Sequence, residues 1–203
     1  MSLGGRSISS TASLDYSQYY SLEEYLFDVV SPRFSASKTL SPFDFFCIVI
    51  WKANRSKSKI AQRLLRHGDG YESLDSAVQA LMAAIRDAVD DKARLSVLVR
   101  DWGFRLPMAS AILTVLYPTE FTVYDIRVCE VLADFEDAQH KTDFNSLWTR
   151  YAKYVERVRR QVPEVKSLRD KDRFLWGKSF ALQLQKNIAE GFGREADNSD
   201  FET

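Results

Sequence analysis

The chain has 203 residues, enough to bury a full hydrophobic core as one domain or as two closely packed helical halves. Its 28 Lys and Arg residues balance 28 Asp and Glu residues, so the overall charge favours no class of partner. Two cysteines and two histidines are too few for an iron–sulfur cluster, a four-thiolate zinc site or a histidine-rich site, so we expect no metal.

The chain reads as one helix after another. Ser21 and Ser41 each stand where a serine caps the first turn of a helix, and Pro42 follows at a first helical position, where its missing N–H costs nothing. Apolar residues between 73 and 89 are spaced for one helical face. The predicted helices span 21–30, 43–51, 54–66, 73–89, 90–102, 106–117, 125–135, 143–161 and 167–189.

These elements predict an all-α protein with a single helical domain over 16–189. We expect a disordered N-terminus over 1–15 and a disordered, polar and acidic tail over 190–203. Residues 121–124 have extended propensity but are too few to form a sheet. No apolar run approaches the roughly 18 residues that a membrane span needs, and we expect a cytoplasmic monomer without a membrane partner.

The helices around Gly103 form a predicted hairpin over 95–117. Gly103 can take the positive φ that ends the first helix, and Pro107 lies in the first turn of the second. Small residues at Ala109 and Ala111 let two helices approach closely. Backbone N–H groups at such a helix start bind phosphate. The alternative is an ordinary αα-hairpin, the commonest connection in helical proteins.

Asp125 stands at the start of the next predicted helix, after the extended segment. An aspartate before an apolar helical run is a good N-cap, and this alone explains its presence. An acid fixed at a helix start can also lie at the mouth of a cleft. The order of hairpin, Ala-containing helix, proline loop and acid is what favours the second interpretation.

That order resembles the helix-hairpin-helix DNA glycosylase superfamily, of which the chain looks like a divergent bacterial member. Gly103 matches the first hairpin glycine, Ala109 matches the helix alanine, and Asp125 follows sixteen residues later, which is the family's spacing. The sequence VYDIRV at 123–128 is similar to the family's Val-Asp-Thr-His-Val segment. The resemblance spans about 42–132 and implies a two-lobed helical fold.

The resemblance implies a base-excision-repair protein that hydrolyses the N-glycosidic bond of a base flipped out of double-stranded, damaged DNA. Asp125 would stabilise the oxocarbenium charge at the sugar or activate the attacking water. Trp51 and Tyr124 are candidates for the base pocket. The residues expected to bind nucleic acid are Gly103, Phe104, Arg105, Met108, Lys52, Asn54, Arg55, Lys57 and Arg127.

The chain departs from the family at two hairpin positions. Arg105 replaces the second hairpin glycine, where its side chain can reach a phosphate. Pro107 stands where bifunctional members carry a Schiff-base lysine, so we expect a monofunctional enzyme without lyase activity. The resemblance implies no cofactor beyond a monovalent cation that the hairpin carbonyls can hold.

Two further segments have open interpretations. Residues 51–66 carry six basic side chains and no acid, as in a phosphate-binding surface or an ordinary solvated helix face. In the motif at 168–178, apolar residues favour an anchor for a long helix, although Asp172 and Lys178 can also face the cleft. Two alternatives to an enzyme stay open: a DNA-binding module without catalysis, and an interaction protein that uses the scaffold without nucleic acid.

Overall fold

The computed structural model describes residues 15–192, and the expectations for residues 1–14 and 193–203 lie outside this range. Residues 15–192 form helices, turns and irregular segments without a strand, which confirms the predicted all-α class. Within the same range, no helix combines the length and the apolar character that crossing a bilayer requires.

The α-helical segments follow the predicted order. They are α1 Leu22–Glu24, α2 Ser31–Ser37, α3 Pro42–Ala53, α4 Lys57–Leu65, α5 Leu74–Asp87, α6 Asp91–Ser96, α7 Leu106–Leu116, α8 Ile126–Leu132, α9 Phe144–Gln161 and α10 Leu168–Ala189. Two π-helical segments, Tyr25–Val30 and Val97–Asp101, continue α1 into α2 and extend α6. Short 3-10 turns occupy Tyr16–Tyr19, Asn54–Ser56 and Glu136–His140.

The first helix is longer than its sequence indicates. The sequence predicts an end at Val30, before Ser31 and Pro32, but the chain stays helical to Ser37. A proline inside an α-helix clashes with the carbonyl group four residues earlier. The wider π turn over Tyr25–Val30 lies immediately before Pro32 and relieves that clash.

Side-chain caps begin several helices as the sequence predicts. Ser21 Oγ accepts from the Glu24 amide at 3.4 Å, and Ser41 Oγ accepts from the Asp44 amide at 3.1 Å. Asp44 is buried and also accepts from Tyr25 Oη and Arg33 Nη2, both at 2.7 Å. This polar cluster joins α3 to the first helix and holds the N-terminal helices together.

One hydrophobic cluster extends from Tyr25 to Leu175 across the described residues. Helix α7 runs through it, and its residues 108–116 are all buried. Ala109 and Ala111 are fully buried, as expected where small side chains let helices pack closely. Helix α7 is therefore held in the core, next to the segment 121–124 that leads to Asp125.

Candidate functional site

The segment 121–124 positions Asp125 without forming a strand. Its backbone groups are satisfied by side chains: Tyr151 Oη donates to the Thr122 carbonyl at 2.6 Å, and Tyr154 Oη donates to the Val123 carbonyl at 2.9 Å. The Tyr124 amide donates to Ser110 Oγ at 2.8 Å. Helices α9 and α7 thus fix the backbone immediately before Asp125.

Asp125 caps α8 and also faces another helix. Its Oδ1 accepts from the Arg127 amide at 3.1 Å, so the N-cap interpretation is confirmed. Its Oδ2 accepts from Lys52 Nζ at 2.8 Å, across 73 residues of sequence. Both side chains are mostly buried, with 21% of the Asp125 side chain and 16% of the Lys52 side chain exposed. Asp125 therefore fits both interpretations, as a helix cap and as an acid in a cleft.

Asp125 lines a cavity of about 620 Å³. Five residues that the sequence singled out meet here: Asp125, Lys52, Trp51, Arg127 and Asp172. The other lining residues are Glu23, Val123, Arg169, Arg173 and Trp176. A volume of this size is typical of a small-molecule site.

Helix α10 supplies most of the lining that sequence reasoning missed. Arg169, Asp172, Arg173 and Trp176 are spaced at i, i+3, i+4 and i+7, which places them on one face of the helix. This spacing was visible in the sequence. The apolar residues of the same motif favour an anchor for a long helix instead. Of these four side chains, only Asp172 is predicted from the sequence to face the cleft.

Ion pairs connect the cavity wall to the first helix. Arg169 Nη2 donates to Glu23 Oε1 at 2.6 Å, while Arg169 Nη1 donates to Asp172 Oδ2. Arg173 Nε lies 3.1 Å from the same Glu23 oxygen. Glu23 therefore accepts a hydrogen bond from Arg169 and forms an ion pair with Arg173, and these contacts join α1 to α10.

Asp172 is the most deeply buried carboxyl group of the cavity, with 3% of the residue exposed. Burial raises its pKa to about 7, although the charges of Arg169 and Lys52 act in the opposite direction. The neighbouring charges of Asp125 and Glu23 raise the pKa further. Asp172 therefore keeps its proton to a higher pH than an exposed aspartate does. With four cationic side chains against three carboxyl groups, the cavity carries a net positive charge at neutral pH.

Two tryptophans form the aromatic part of the cavity wall. Trp51 is half-buried, with the Phe27 ring edge-on at 5.7 Å and the Arg169 guanidinium 5.1 Å from its centroid. Trp176 is 43% exposed and has the Arg127 guanidinium 5.6 Å from its centroid. Trp51 thus lines the cavity, and Trp176 is a second aromatic surface that the sequence did not single out.

Tyr124 does not share this position. It is 1% exposed, and its hydroxyl donates to the Phe135 carbonyl at 2.8 Å. It packs against Tyr154 in the core and is not part of the cavity lining. The structure therefore corrects the base-pocket expectation for Tyr124, because the pleat of the extended segment turns its side chain inward while Val123 and Asp125 face the cavity.

The hairpin lies apart from the cavity. Gly103 has the expected positive φ, +67°, and its carbonyl accepts from Arg63 Nη1. The Phe104 amide donates to the Leu98 carbonyl at 2.8 Å, and the Met108 amide donates to the Arg105 carbonyl at 3.1 Å. The side chains of Phe104 and Met108 are buried. The phosphate contacts expected for Phe104 and Met108 are therefore wrong, because both amides already donate hydrogen bonds within the hairpin. Arg105, in contrast, is exposed.

The remaining predicted contacts lie on the surface beyond Lys52. Asn54, Arg55 and Lys57 are exposed at the junction of α3 and α4, and Lys57 Nζ donates to Asn54 Oδ1 at 2.9 Å. Lys52, at the end of α3, faces the cavity instead. The basic segment therefore runs from the cavity wall to the solvated surface.

Within residues 15–192, no group of three or more His, Cys, Asp or Glu side chains is arranged to hold a metal ion. Cys47 and Cys129 are free and buried, and burial raises the pKa of each thiol to about 11.

No family model, curated protein or solved structure matches this chain. The chemistry of the cavity is therefore the best guide to function.

Proposed function

We propose that the cavity is the active site of a monofunctional DNA glycosylase, which hydrolyses the N-glycosidic bond of a damaged base turned out of double-stranded DNA. The observation that carries this proposal is Asp125, a fixed carboxylate in a positively charged cavity with a tryptophan beside it. The resemblance of the segment 103–128 to helix-hairpin-helix glycosylases supports the same assignment.

In the proposed reaction, the bond between C1′ and the base nitrogen breaks and leaves an oxocarbenium-like sugar. Asp125 stabilises this positive charge and accepts a proton from the water that attacks C1′. Lys52 and the Arg127 amide hold the carboxylate from both of its oxygens, so it is oriented before the substrate arrives. Such preorganisation in a partly desolvated cavity is a large source of rate acceleration.

Two features support the absence of lyase chemistry. Pro107 has no amine, and the lysine of the cavity, Lys52, donates its ammonium hydrogens to Asp125. An ammonium group so engaged has no electron pair with which to attack the sugar. A cation at the hairpin carbonyls is not part of the proposal, because the Gly103 carbonyl accepts from Arg63.

DNA binding in this proposal combines the cavity with the surface beside it. Arg127 and Arg173 reach a flipped nucleotide, while Arg55, Lys57 and Arg105 contact the flanking phosphates.

The test is base release from duplexes that each contain one damaged base: uracil, hypoxanthine, an oxidised purine or an alkylated purine. Alkali then cleaves the DNA at any abasic site. The unaltered protein is expected to release at least one of these bases, and Asp125→Asn to abolish release with DNA affinity within about twofold. Equal release by the variant overturns the role of Asp125, and borohydride trapping of a covalent complex overturns the monofunctional assignment.

A specific observation favours a second candidate, an interaction protein that does not act on DNA. Helix α10 exposes apolar side chains on successive turns: Trp176 and Phe180 stack with ring centroids 5.9 Å apart, and Leu184 follows four residues later on the same face. Contiguous exposed apolar surface often marks a protein contact. If no duplex is retained by the protein at low salt, this second function replaces the first.

A further inference from the structure

We propose that Asp172 is the general acid that protonates the departing base, and this inference rests on the proposed glycosylase function. It also assigns the substrate class: a base that is electrically neutral before it leaves.

The two carboxyl groups enter one cavity from different elements. Asp125 comes from the N-terminus of α8, and Asp172 comes from the second turn of α10. Asp172 Oδ2 accepts from Arg169 Nη1, and within residues 15–192 its Oδ1 accepts no hydrogen bond. Oδ1 is therefore the atom that can carry a proton toward a ligand.

The surroundings of the two groups favour opposite protonation states. Asp125 accepts from the Lys52 ammonium and from a backbone amide, both of which stabilise a carboxylate. Asp172 shares its single donor, Arg169, with Glu23, and its burial raises its pKa to about 7. Two carboxyl groups whose environments differ in this way commonly act as an acid and a base in one reaction.

The groups that face Asp172 come from every neighbouring element. On α10 the groups are Arg169 and Arg173, and the other helices add charged or phenolic side chains. Lys52 comes from α3, Glu23 from α1, Asp125 from the start of α8, and Tyr151 and Tyr154 from α9. Both tyrosines are buried, which raises the pKa of each hydroxyl, so neither ionises near neutrality. Among the acidic groups named here, burial raises the pKa of Asp172 to about 7.

The reaction balances with these two groups. As the C1′–N bond breaks, its electron pair moves to the base, and the proton on Asp172 Oδ1 is transferred to a ring nitrogen of that base. Water then forms the new C1′–O bond, and Asp125 accepts the water proton. Proton exchange with solvent restores the acid on Asp172 and the carboxylate on Asp125. The products are a free neutral base and an abasic sugar.

This chemistry selects a class of substrate. A neutral base leaves slowly as an anion, so a proton donor speeds its release. A base alkylated on a ring nitrogen already carries positive charge and leaves without a donor. A cavity with a built-in acid is therefore suited to a neutral deaminated or oxidised base whose ring nitrogen accepts a hydrogen bond.

The experiment measures single-turnover release of hypoxanthine, a neutral purine, and of 7-methylguanine, a cationic one, from otherwise identical duplexes between pH 5.5 and 8.5. For the unaltered protein, hypoxanthine release is expected to fall about tenfold per pH unit above pH 7. Release of 7-methylguanine is expected to stay level over that limb. Asp172→Asn keeps the size of the side chain and is expected to slow hypoxanthine release by about 10²–10⁴-fold and 7-methylguanine release by less than about threefold.

The control is Asp75→Asn, the same chemical change at an exposed position of α5, which is expected to alter neither rate. Asp172→Asn slowing both bases equally, or a wild-type hypoxanthine profile that is level through pH 7, overturns the acid role while the glycosylase proposal stands. Release of neither base nor of any other lesion by the unaltered protein overturns both proposals. The wild-type pH profile keeps the test decisive if Asp172→Asn does not fold.

Discussion

Lys52 Nζ lies 2.8 Å from Asp125 Oδ2 and joins the end of α3 to the start of α8. Both groups are mostly withdrawn from water, yet both line the cavity. An ion pair in such a place is favourable only while each partner is present, because removal of one leaves the other buried without compensation.

The first prediction concerns the strength of this ion pair. A double-mutant cycle of Lys52→Met, Asp125→Asn and the combined variant is expected to give a coupling free energy of about 1–3 kcal/mol. Urea denaturation of the four proteins measures it. The matched control is the pair Arg86–Asp87, which has the same 2.8 Å separation but lies in solvent, and its coupling is expected to be indistinguishable from zero. Similar values for both cycles would contradict the prediction.

The second prediction separates the two roles of Asp125. Asn keeps an oxygen that can accept from the Arg127 amide, whereas Ala does not. Asp125→Ala is therefore expected to be about 1 kcal/mol less stable than Asp125→Asn, although both variants lose base release. Asp143 caps α9 through the Ser146 amide, away from the cavity. Asp143→Ala should lower the melting temperature and leave base release unchanged.

The third prediction follows from the raised pKa of Asp172. The folded protein binds a proton here up to about pH 7, while the unfolded chain releases it near its ordinary value of 3.8. The contribution of this proton to the free energy of unfolding is fully present below pH 3.8 and is lost as the pH rises through 7. From pH 5 to pH 8 the loss is about 2–3 kcal/mol.

Asp172→Asn removes that titration. The free energy of unfolding of the variant, relative to the unaltered protein, is therefore expected to rise by about 2–3 kcal/mol between pH 5 and pH 8. Chemical denaturation at both pH values measures the difference. A pH-independent difference between the two proteins would mean that Asp172 does not titrate in this range.

The fourth prediction compares two glycines with opposite backbone requirements. Gly103 has a φ of +67°, and an added Cβ meets only Arg63 Nη1 at 3.8 Å, so the cost of Gly103→Ala is conformational. That cost is expected to be about 1–2 kcal/mol. Gly177 lies within α10, with no atom within 4 Å of an added Cβ. Gly177→Ala is expected to stabilise the protein by up to about 1 kcal/mol, and thermal melting of both variants tests the opposite signs.

The fifth prediction concerns DNA affinity. Arg55→Glu and Lys57→Glu remove exposed positive charge beside the cavity. Each is expected to weaken duplex binding and to lower the slope of log affinity against log salt by about one. Lys186→Glu makes the same charge change at an exposed position of α10 and is expected to leave the slope unchanged. Equal effects of all three variants would indicate attraction by the overall charge rather than contacts at this surface.

The sequence predicted the features that depend on local interactions. Serine and aspartate side chains begin helices because they satisfy amides two or three residues away, so Ser41 and Asp125 were recognised from their immediate neighbours. The positive φ of Gly103 was also predicted locally. The continuation of the first helix past Pro32 was not, because a π turn has no clear signal in the sequence.

The cavity itself depends on contacts that no local pattern specifies. Arg169 and Glu23 are 146 residues apart, and their ion pair joins α10 to the first helix. The side of α10 that lines the cavity was readable from its spacing, but its partner helix was not. The hairpin amides of Phe104 and Met108 were misjudged for a related reason, because their acceptors come from the fold of the hairpin.

Glu23 forms ion pairs with Arg169 and Arg173, so one wall of the cavity depends on contacts between α1 and α10. During synthesis on the ribosome, Trp51, Lys52 and Asp125 emerge long before the helix that completes their surroundings. Until that helix arrives, this carboxylate and its ammonium partner face open water. The surroundings of Asp125 and Lys52 are therefore complete only after α10 has been made and has packed against α1.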